Sequence, residues 1–263
     1  MAEQTIRFED GAGYERMMGV WSRIAGDIFL DWLAPAPGLR WVDVGCGNGA
    51  FTELVVDRCA PASVQGIDPS DGQLAFARTR PASRVAQFQQ GDAMALPFTD
   101  CAFDVAVMAL VIFFVPDPTR GVAEMARVVA KGGTVAAYAW DLLGGGFPLN
   151  TLQEEMRAMG MTPLLPPSPE ASRLDALQAL WAGAGLESVE TRVISVQREF
   201  VDFDEVWTTS RLSASIGSKL AQMSAGDVEE LRTRFKARLP ADASGRITLH
   251  ARAHAVKGRV ATR

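Results

Sequence analysis

The 263-residue chain is poor in the residues that build metal and disulfide frameworks, with three cysteines and two histidines. Cys46, Cys59 and Cys101 are widely spaced, with neither metal-ligand spacing nor a disulfide pattern. His250 and His254 fall on one face of an alternating segment, and two ligands without partners do not complete a zinc site. No metal is expected. A basic surface is also lacking: 26 Lys and Arg against 31 Asp and Glu leave a net charge of −5, which argues against nucleic acid as a partner. No apolar run approaches the ~20 residues of a membrane span. The opening Met-Ala-Glu-Gln-Thr-Ile-Arg-Phe-Glu-Asp has no apolar leader core, so the expected location is cytoplasmic. Internal repeats and low-complexity tracts are absent too.

Apolar residues, by contrast, make up 48% of the chain, enough for a substantial core. Trp21, Ile24, Ala25, Ile28, Phe29, Trp32 and Leu33 recur at helical spacing and end at Pro35. Strands are expected at Val42–Gly45, Val64–Asp68, Val85–Gln89, Phe103–Met108 and Thr134–Ala139. Helices fill the gaps between them. Ser70 to Gln73 reads as a capping box, and Asp117-Pro118 opens a helix that Gly132-Gly133 should close. Alternation of this kind predicts an α/β, doubly wound, Rossmann-like sheet with helices on both faces. Beyond residue 140, a short helix at 151–159, a helix at 172–184 and a sixth strand at 187–198 are expected. Residues 202–239 should form a helical cap inserted before a last strand at Ile247–Val256. The whole of 1–263 reads as a single domain, with 1–38 a helical lid and 39–140 a cofactor-binding core.

Residues 41–49, Trp-Val-Asp-Val-Gly-Cys-Gly-Asn-Gly, carry the most chemistry. A strand ends in three alternating glycines and a helix follows at once. Glycine tolerates the turn and lets backbone N–H groups approach a ligand at a helix N-terminus. Gly45-x-Gly47-x-x-Ala50, with Asp68 roughly 20 residues on, meets the relaxed dinucleotide fingerprint. Asp43 tilts the balance away from that cofactor, because a carboxylate there repels a pyrophosphate and suits a cationic ammonium. Gly49 extends the glycine run, and Asp92 supplies a third acid after the third strand.

Val42 to Gly49 resembles the first motif of the class I S-adenosylmethionine-dependent methyltransferases. Gly66-Ile67-Asp68-Pro69-Ser70 is similar to the second motif, and Gly91-Asp92-Ala93-Met94-Ala95-Leu96-Pro97-Phe98 to the third. Phe103 to Val107, Val115 to Pro118 and Lys131-Gly132-Gly133 continue the match in register. The small-molecule branch that includes ubiquinone and menaquinone biosynthesis methyltransferases is the nearest in character. The resemblance implies S-adenosyl-L-methionine as cofactor and a seven-stranded sheet whose last, antiparallel strand sits between the fifth and sixth. It further implies that Asp43 faces the amino-acid end of the cofactor and that Gly45, Cys46, Gly47 and Gly49 form its turn. Asp68, Pro69 and Gln73 would line the ribose wall, Asp92, Ala93 and Met94 the adenine, and Ala109 the sulfonium.

A small, apolar or aromatic acceptor is expected from elements outside that core. Candidate contacts are Tyr14 and Trp21, closing as a lid, with Phe113, Trp140, Phe147 and Trp207; Phe113 and Phe114 read equally well as core. No catalytic base is assigned: where a His is common after the fourth strand, this chain has Val111-Ile112-Phe113-Phe114. Two rivals stand beside this reading. A nicotinamide oxidoreductase would want a Tyr/Lys pair that Tyr14 and Tyr138 do not supply. A non-catalytic S-adenosylmethionine-binding protein would keep the same glycine loop. Oligomeric state is open, a homodimer included.

Overall fold

The computed structural model describes residues 15–262. Seven strands form one sheet: β1 (Arg40–Val44), β2 (Ser63–Asp68), β3 (Ala86–Gln90), β4 (Phe103–Ala109), β5 (Val129–Trp140), β6 (Glu187–Phe200) and β7 (Ile247–Arg259). Their spatial order is β3-β2-β1-β4-β5-β7-β6. The first five pair in parallel, and β7 runs antiparallel between β5 and β6. The Rossmann-like α/β expectation is met, including the place of the last strand.

Parallel strands buried on both faces require apolar runs, and β1 supplies one: Trp41, Val42 and Val44 are all within 1% of full burial. From β1 the chain winds outward to β2 and β3, then returns to β4 on the other side of β1. Right-handed crossovers in opposite directions set their helices on opposite faces and leave a crevice where the direction reverses, at the carboxyl ends of β1 and β4.

Nine α-helices accompany the sheet among the described residues. They are α1 (Val20–Leu33), α2 (Ala50–Cys59), α3 (Asp71–Ala77), α4 (Pro118–Val128), α5 (Asn150–Ala158), α6 (Leu174–Gly183), α7 (Phe203–Ser210), α8 (Ala214–Leu220) and α9 (Ala225–Ala237). Capping residues fix several of their starts. Ser70 accepts from the Gln73 N–H, Asp117 from that of Arg120 and Asp202 from that of Glu205. Helix α1 buries Trp21, Ala25, Phe29 and Leu33, the face its periodicity marks.

One boundary differs from expectation. Gly132-Gly133 does not close α4; the helix already ends at Val128, where Val129 turns extended and begins β5. The glycines lie within that strand. Gly132 takes a left-handed φ of 77° while its N–H donates to Val260 O at 2.9 Å. A Cβ on Gly133 would meet Asp104 O at 2.7 Å. The pair therefore serves close backbone approach, a use of glycine that a helix stop does not explain.

Helices α7 to α9 fall between β6 and β7 in the chain. Glu155 on α5 accepts from Arg234 Nε at 3.0 Å and Arg238 Nη1 at 2.7 Å, which fastens α9 to α5.

Candidate functional site

A cleft of about 920 Å³ opens at the crevice between β1 and β4. That size is at the upper end of small-molecule sites, with room for more than one reactant. The turn after β1 forms its floor. Gly45, Gly47 and Gly49 have φ of 76°, 52° and 80°, so the alternating glycines answer a real left-handed requirement. The Gly45 and Cys46 N–H groups donate to Ile67 O at 2.7 and 2.9 Å, which pins the turn to β2. A Cβ on Gly45 would strike Val111 at 2.5 Å, whereas one on Gly47 would meet only Gln73 Oε1, at 3.9 Å. The Gly47 backbone therefore faces the cleft.

Asp43 occupies the middle strand, in register with Gly66 of β2 and Val107 of β4. It lines the cleft yet is only 2% exposed. Thr52 Oγ1 donates to its Oδ2 at 2.6 Å, while its Oδ1 is buried with no partner among the described residues. Burial pushes this carboxyl up to about 7, against the Thr52 hydrogen bond and with help from the Asp68 charge. At the end of β2, Asp68 Oδ2 accepts from the Gly47 N–H and its Oδ1 from that of Ser70, both at 2.9 Å. Burial raises its pKa, and those two hydrogen bonds hold it down. Asp92 and Ala93 line the wall beyond β3, and Asp92 Oδ1 accepts from the Met94 N–H at 2.8 Å.

Most of the expected cofactor residues meet here: Asp43, Gly45, Cys46, Gly47, Asp68, Pro69, Gln73, Asp92, Ala93 and Ala109 all line the cleft. Two others do not. Gly49 packs beneath the turn, where a Cβ would touch Ala77, Arg80 and Phe88. Met94 packs partly buried against the core, off the cleft wall. Cys46 has a thiol raised well above its ordinary range, first by burial and then by the Asp43 and Asp68 charges, which denies it nucleophilic character.

The aromatic candidates divide. Phe113, Trp140 and Phe147 line a second, smaller cavity of about 70 Å³ that shares Leu110, Phe114, Leu165 and Pro166 with the cleft. Trp21 is a core residue at 1% exposure, edge-on to Trp140 with centroids 6.4 Å apart, and lines neither cavity. Its amphipathic helix buries it, so it is not a lid. Trp207 is likewise buried, lying nearly parallel to Phe203 at 6.5 Å within α7, away from both cavities. Tyr14 lies outside the described residues, as does most of the N-terminal part of the expected lid.

Three site details go beyond the sequence reading: the backbone of Leu110, the hydroxyl of Ser22 and the burial of Arg80. Leu110 leaves β4 with φ of 63°, a left-handed conformation rare for a branched side chain, and its N–H donates to Tyr138 O at 2.8 Å. Ser22 of α1 lines the cleft with a buried Oγ that has no partner among the described residues. Arg80, 9% exposed, sits under the glycine turn: its Nε donates to Asn48 O at 2.6 Å, its Nη1 to Glu53 at 2.8 Å and its Nη2 to Glu15. No local pattern marks an arginine for such burial, since its partners are 27 to 65 residues away.

Residues 42–137 match the methyltransferase domain family. The chain is 36% identical over 106 residues to a demethylmenaquinone methyltransferase of Desulfitobacterium hafniense, covering 38% of this chain and 42% of that protein. It is also 36% identical over 125 residues to a ubiquinone/menaquinone biosynthesis C-methyltransferase of Ruegeria sp., covering 46% and 50%. The chain thus spans half or less of the length of these curated relatives. Among solved structures, phosphoethanolamine N-methyltransferase 2 of Haemonchus contortus, in complex with S-adenosyl-L-methionine, superposes with a TM-score of 0.55 at 17% identity, covering 89% of this chain and 52% of that one.

The fold is the Rossmann-like methyltransferase fold, and residues 42–137 carry the match to the methyltransferase domain family. Over that region the chain resembles the ubiquinone/menaquinone biosynthesis methyltransferases. No helix among the described residues is long and apolar enough to cross a membrane.

Proposed function

We propose that the protein transfers the methyl group of S-adenosylmethionine to a small, apolar or aromatic acceptor. The observation that carries this reading is Asp43: a buried carboxylate on the cleft wall with one oxygen held by Thr52 and the other without a partner among the described residues. Leaving such a group unpaired is costly, so a site that keeps it is built for a cationic or hydrogen-bond-donating ligand. The amino-acid end of the cofactor is such a ligand. The turn fits as well, because the open side of Gly47 lets a ligand lie against bare backbone.

On this reading Asp43 holds the ammonium, Asp68 the ribose hydroxyls, Pro69 and Gln73 the adjoining wall, and Asp92 with the Ala93 backbone the adenine. Bound there, S-adenosylmethionine supplies an electrophilic methyl on a cationic sulfur. Leu110, Val111, Phe114 and Val115 give the rest of the cleft an apolar lining that keeps water from the reacting centre. The residues therefore work chiefly by alignment and exclusion of solvent. The cleft's ionisable side chains among the described residues are Asp43, Asp68, Asp71, Asp92, Cys46 and Tyr138. Its apolar lining suits an acceptor such as a phenolic oxygen or an electron-rich ring carbon.

Titration calorimetry with S-adenosylhomocysteine tests the cofactor assignment. Binding by the wild type and a marked loss in Asp68→Ala, with circular dichroism unchanged, is the expected result; equal affinity for the two proteins sinks it. Labelled S-adenosylmethionine offered with phenols, quinols, amines and fatty acids then tests catalysis. Binding without turnover on any acceptor would favour a sensor.

A further inference from the structure

We propose that the small cavity behind Leu110 and Phe114 is a specificity subsite that reads an oxygen substituent on the acceptor, with Gln153 as the reading residue. The inference rests on the methyltransferase reading above and concerns a part of the molecule that the cofactor cleft does not include.

The cavity, of about 70 Å³, is walled mainly by Met17, Met18, Phe113, Trp140, Leu142 and Phe147. Its common wall with the cleft makes it the natural extension of the acceptor side. The volume exceeds that of a single water, but it is under half of the roughly 150 Å³ of an apolar cavity that takes benzene. A substituent fits there; a ring does not. The acceptor's flat body is therefore assigned to the cleft, against Leu110 and Phe114, with one small group entering the cavity.

Polar atoms on these walls are few. Ser213 and Ser215 satisfy each other, their hydroxyls 3.0 Å apart. Gln153 is 7% exposed and puts an amide on the cavity wall. Trp140 is 2% exposed, and its Nε1–H is buried without a partner among them. By contrast, the indole of Trp181, in the same core, donates to Val135 O at 2.8 Å. Gln153 follows Leu152 and precedes Met156 on the buried side of α5, a position where an apolar residue would pack without penalty.

An amide on an otherwise apolar cavity, with an orphaned indole N–H on a residue of the same wall, calls for a ligand atom that bonds the amide and can accept from the indole. A hydroxyl, carbonyl or methoxy oxygen meets both demands. No ionic side chain among the described residues lines the cavity, so a phosphate, carboxylate or ammonium group would find no counter-charge among them. A site built to bond such an oxygen discriminates strongly against the analogue that lacks it, because its own polar groups then stay unpaired.

The test compares 1-naphthol with naphthalene by equilibrium dialysis, with and without saturating S-adenosylhomocysteine. Wild-type protein is expected to hold naphthol about tenfold more tightly. Gln153→Met should bring the ratio to within about twofold by weakening naphthol alone, and Trp140→Phe should lower it independently. Calorimetric affinity for S-adenosylhomocysteine, unchanged in both variants, shows that they are folded. Equal retention of the two probes by the wild type, no retention of either, or a full ratio in Gln153→Met would each overturn the subsite. Failure of the wild type to bind S-adenosylhomocysteine would instead overturn the methyltransferase reading, and dialysis without it would still decide the subsite.

Discussion

Thr52 Oγ1 donates to Asp43 Oδ2 at 2.6 Å and leaves Oδ1 as the buried half of the carboxylate that has no partner among the described residues. Thr52 lies on α2 and Asp43 on β1, so the helix that follows the glycine turn also orients the acid that precedes it. The two ends of the motif are thereby fixed to each other, and Oδ1 is held on the cleft wall.

That arrangement sets a pH dependence. With its pKa raised to about 7, Asp43 holds a proton in the folded protein that it loses near pH 4 when unfolded. The raised value means that this group's contribution to stability is full below about pH 4 and is lost as pH rises through about 7. An ammonium ligand needs the ionised form. Affinity for S-adenosylhomocysteine should therefore climb between pH 6 and about pH 7.5, while the ligand-free protein loses stability. Asp43→Asn should bind weakly with a flat profile. Calorimetry across that range checks the sign; a profile that falls with pH would refute it.

Gly45 makes a steric prediction. Gly45→Ala would place a methyl 2.5 Å from Val111 Cγ1 while keeping φ at 76°. A left-handed alanine costs about 1–2 kcal/mol before any clash. Loss of cofactor binding together with a lower Tm is expected. Adding Val111→Ala relieves the contact but not the backbone strain, so the double variant should recover part of the Tm and no more. Full recovery would show that the turn does not depend on its positive φ.

The outcomes for Gly45 and Trp21 show what was legible beforehand and what was not. Backbone requirements leave local marks: Gly45, Gly47 and Gly49 stand where φ is positive, and the alternation from Ile247 appears as β7. Side-chain destinations do not. The periodicity of α1 marks Trp21 as buried without saying against what, and an aromatic facing a pocket has the same spacing as one facing Trp140. Trp207 was misplaced for the same reason, since Phe203 lies one helical turn away and covers it. Gln153 and Arg80 escaped notice because their burial comes from distant partners and walls, which no window of sequence contains.

Arg80 offers a test of such a long-range contact. Its guanidinium joins Glu15, ahead of α1, to Glu53 on α2 and the Asn48 carbonyl in the turn; Asn48 Nδ2 also donates to Glu15 at 2.9 Å. Arg80→Met keeps the aliphatic stem and removes both ion pairs, leaving Glu53 only Arg23 at 3.8 Å and Glu15 only the Asn48 amide. Removing one side of a buried pair destabilises the charge left behind. Limited proteolysis should then cut ahead of α1 faster than in the wild type, and S-adenosylhomocysteine should bind less tightly because Asn48 sits in the turn. Unaltered proteolysis would mean that the contact does not hold the N-terminal segment.

Glu155 makes the corresponding prediction for the helices between β6 and β7. Its carboxylate, 8% exposed, accepts from Arg234 and Arg238, and these hydrogen bonds hold its pKa below the ordinary glutamate range. A lowered carboxylate contributes stability that is present above the unfolded value, about 4.3, and is lost as pH falls through the folded one. Both arginines are well exposed on their outer side, so salt should weaken the contact without abolishing it. Glu155→Gln is expected to lower Tm modestly at pH 7 and to narrow the gap from wild type below pH 4. Ser213 and Ser215 come from the same insertion and wall the small cavity, whereas no residue beyond Pro167 lines the cofactor cleft. Loosening α9 should therefore weaken 1-naphthol more than S-adenosylhomocysteine. Equal loss of both ligands would mean that the helices between β6 and β7 support the whole site and not the acceptor side alone.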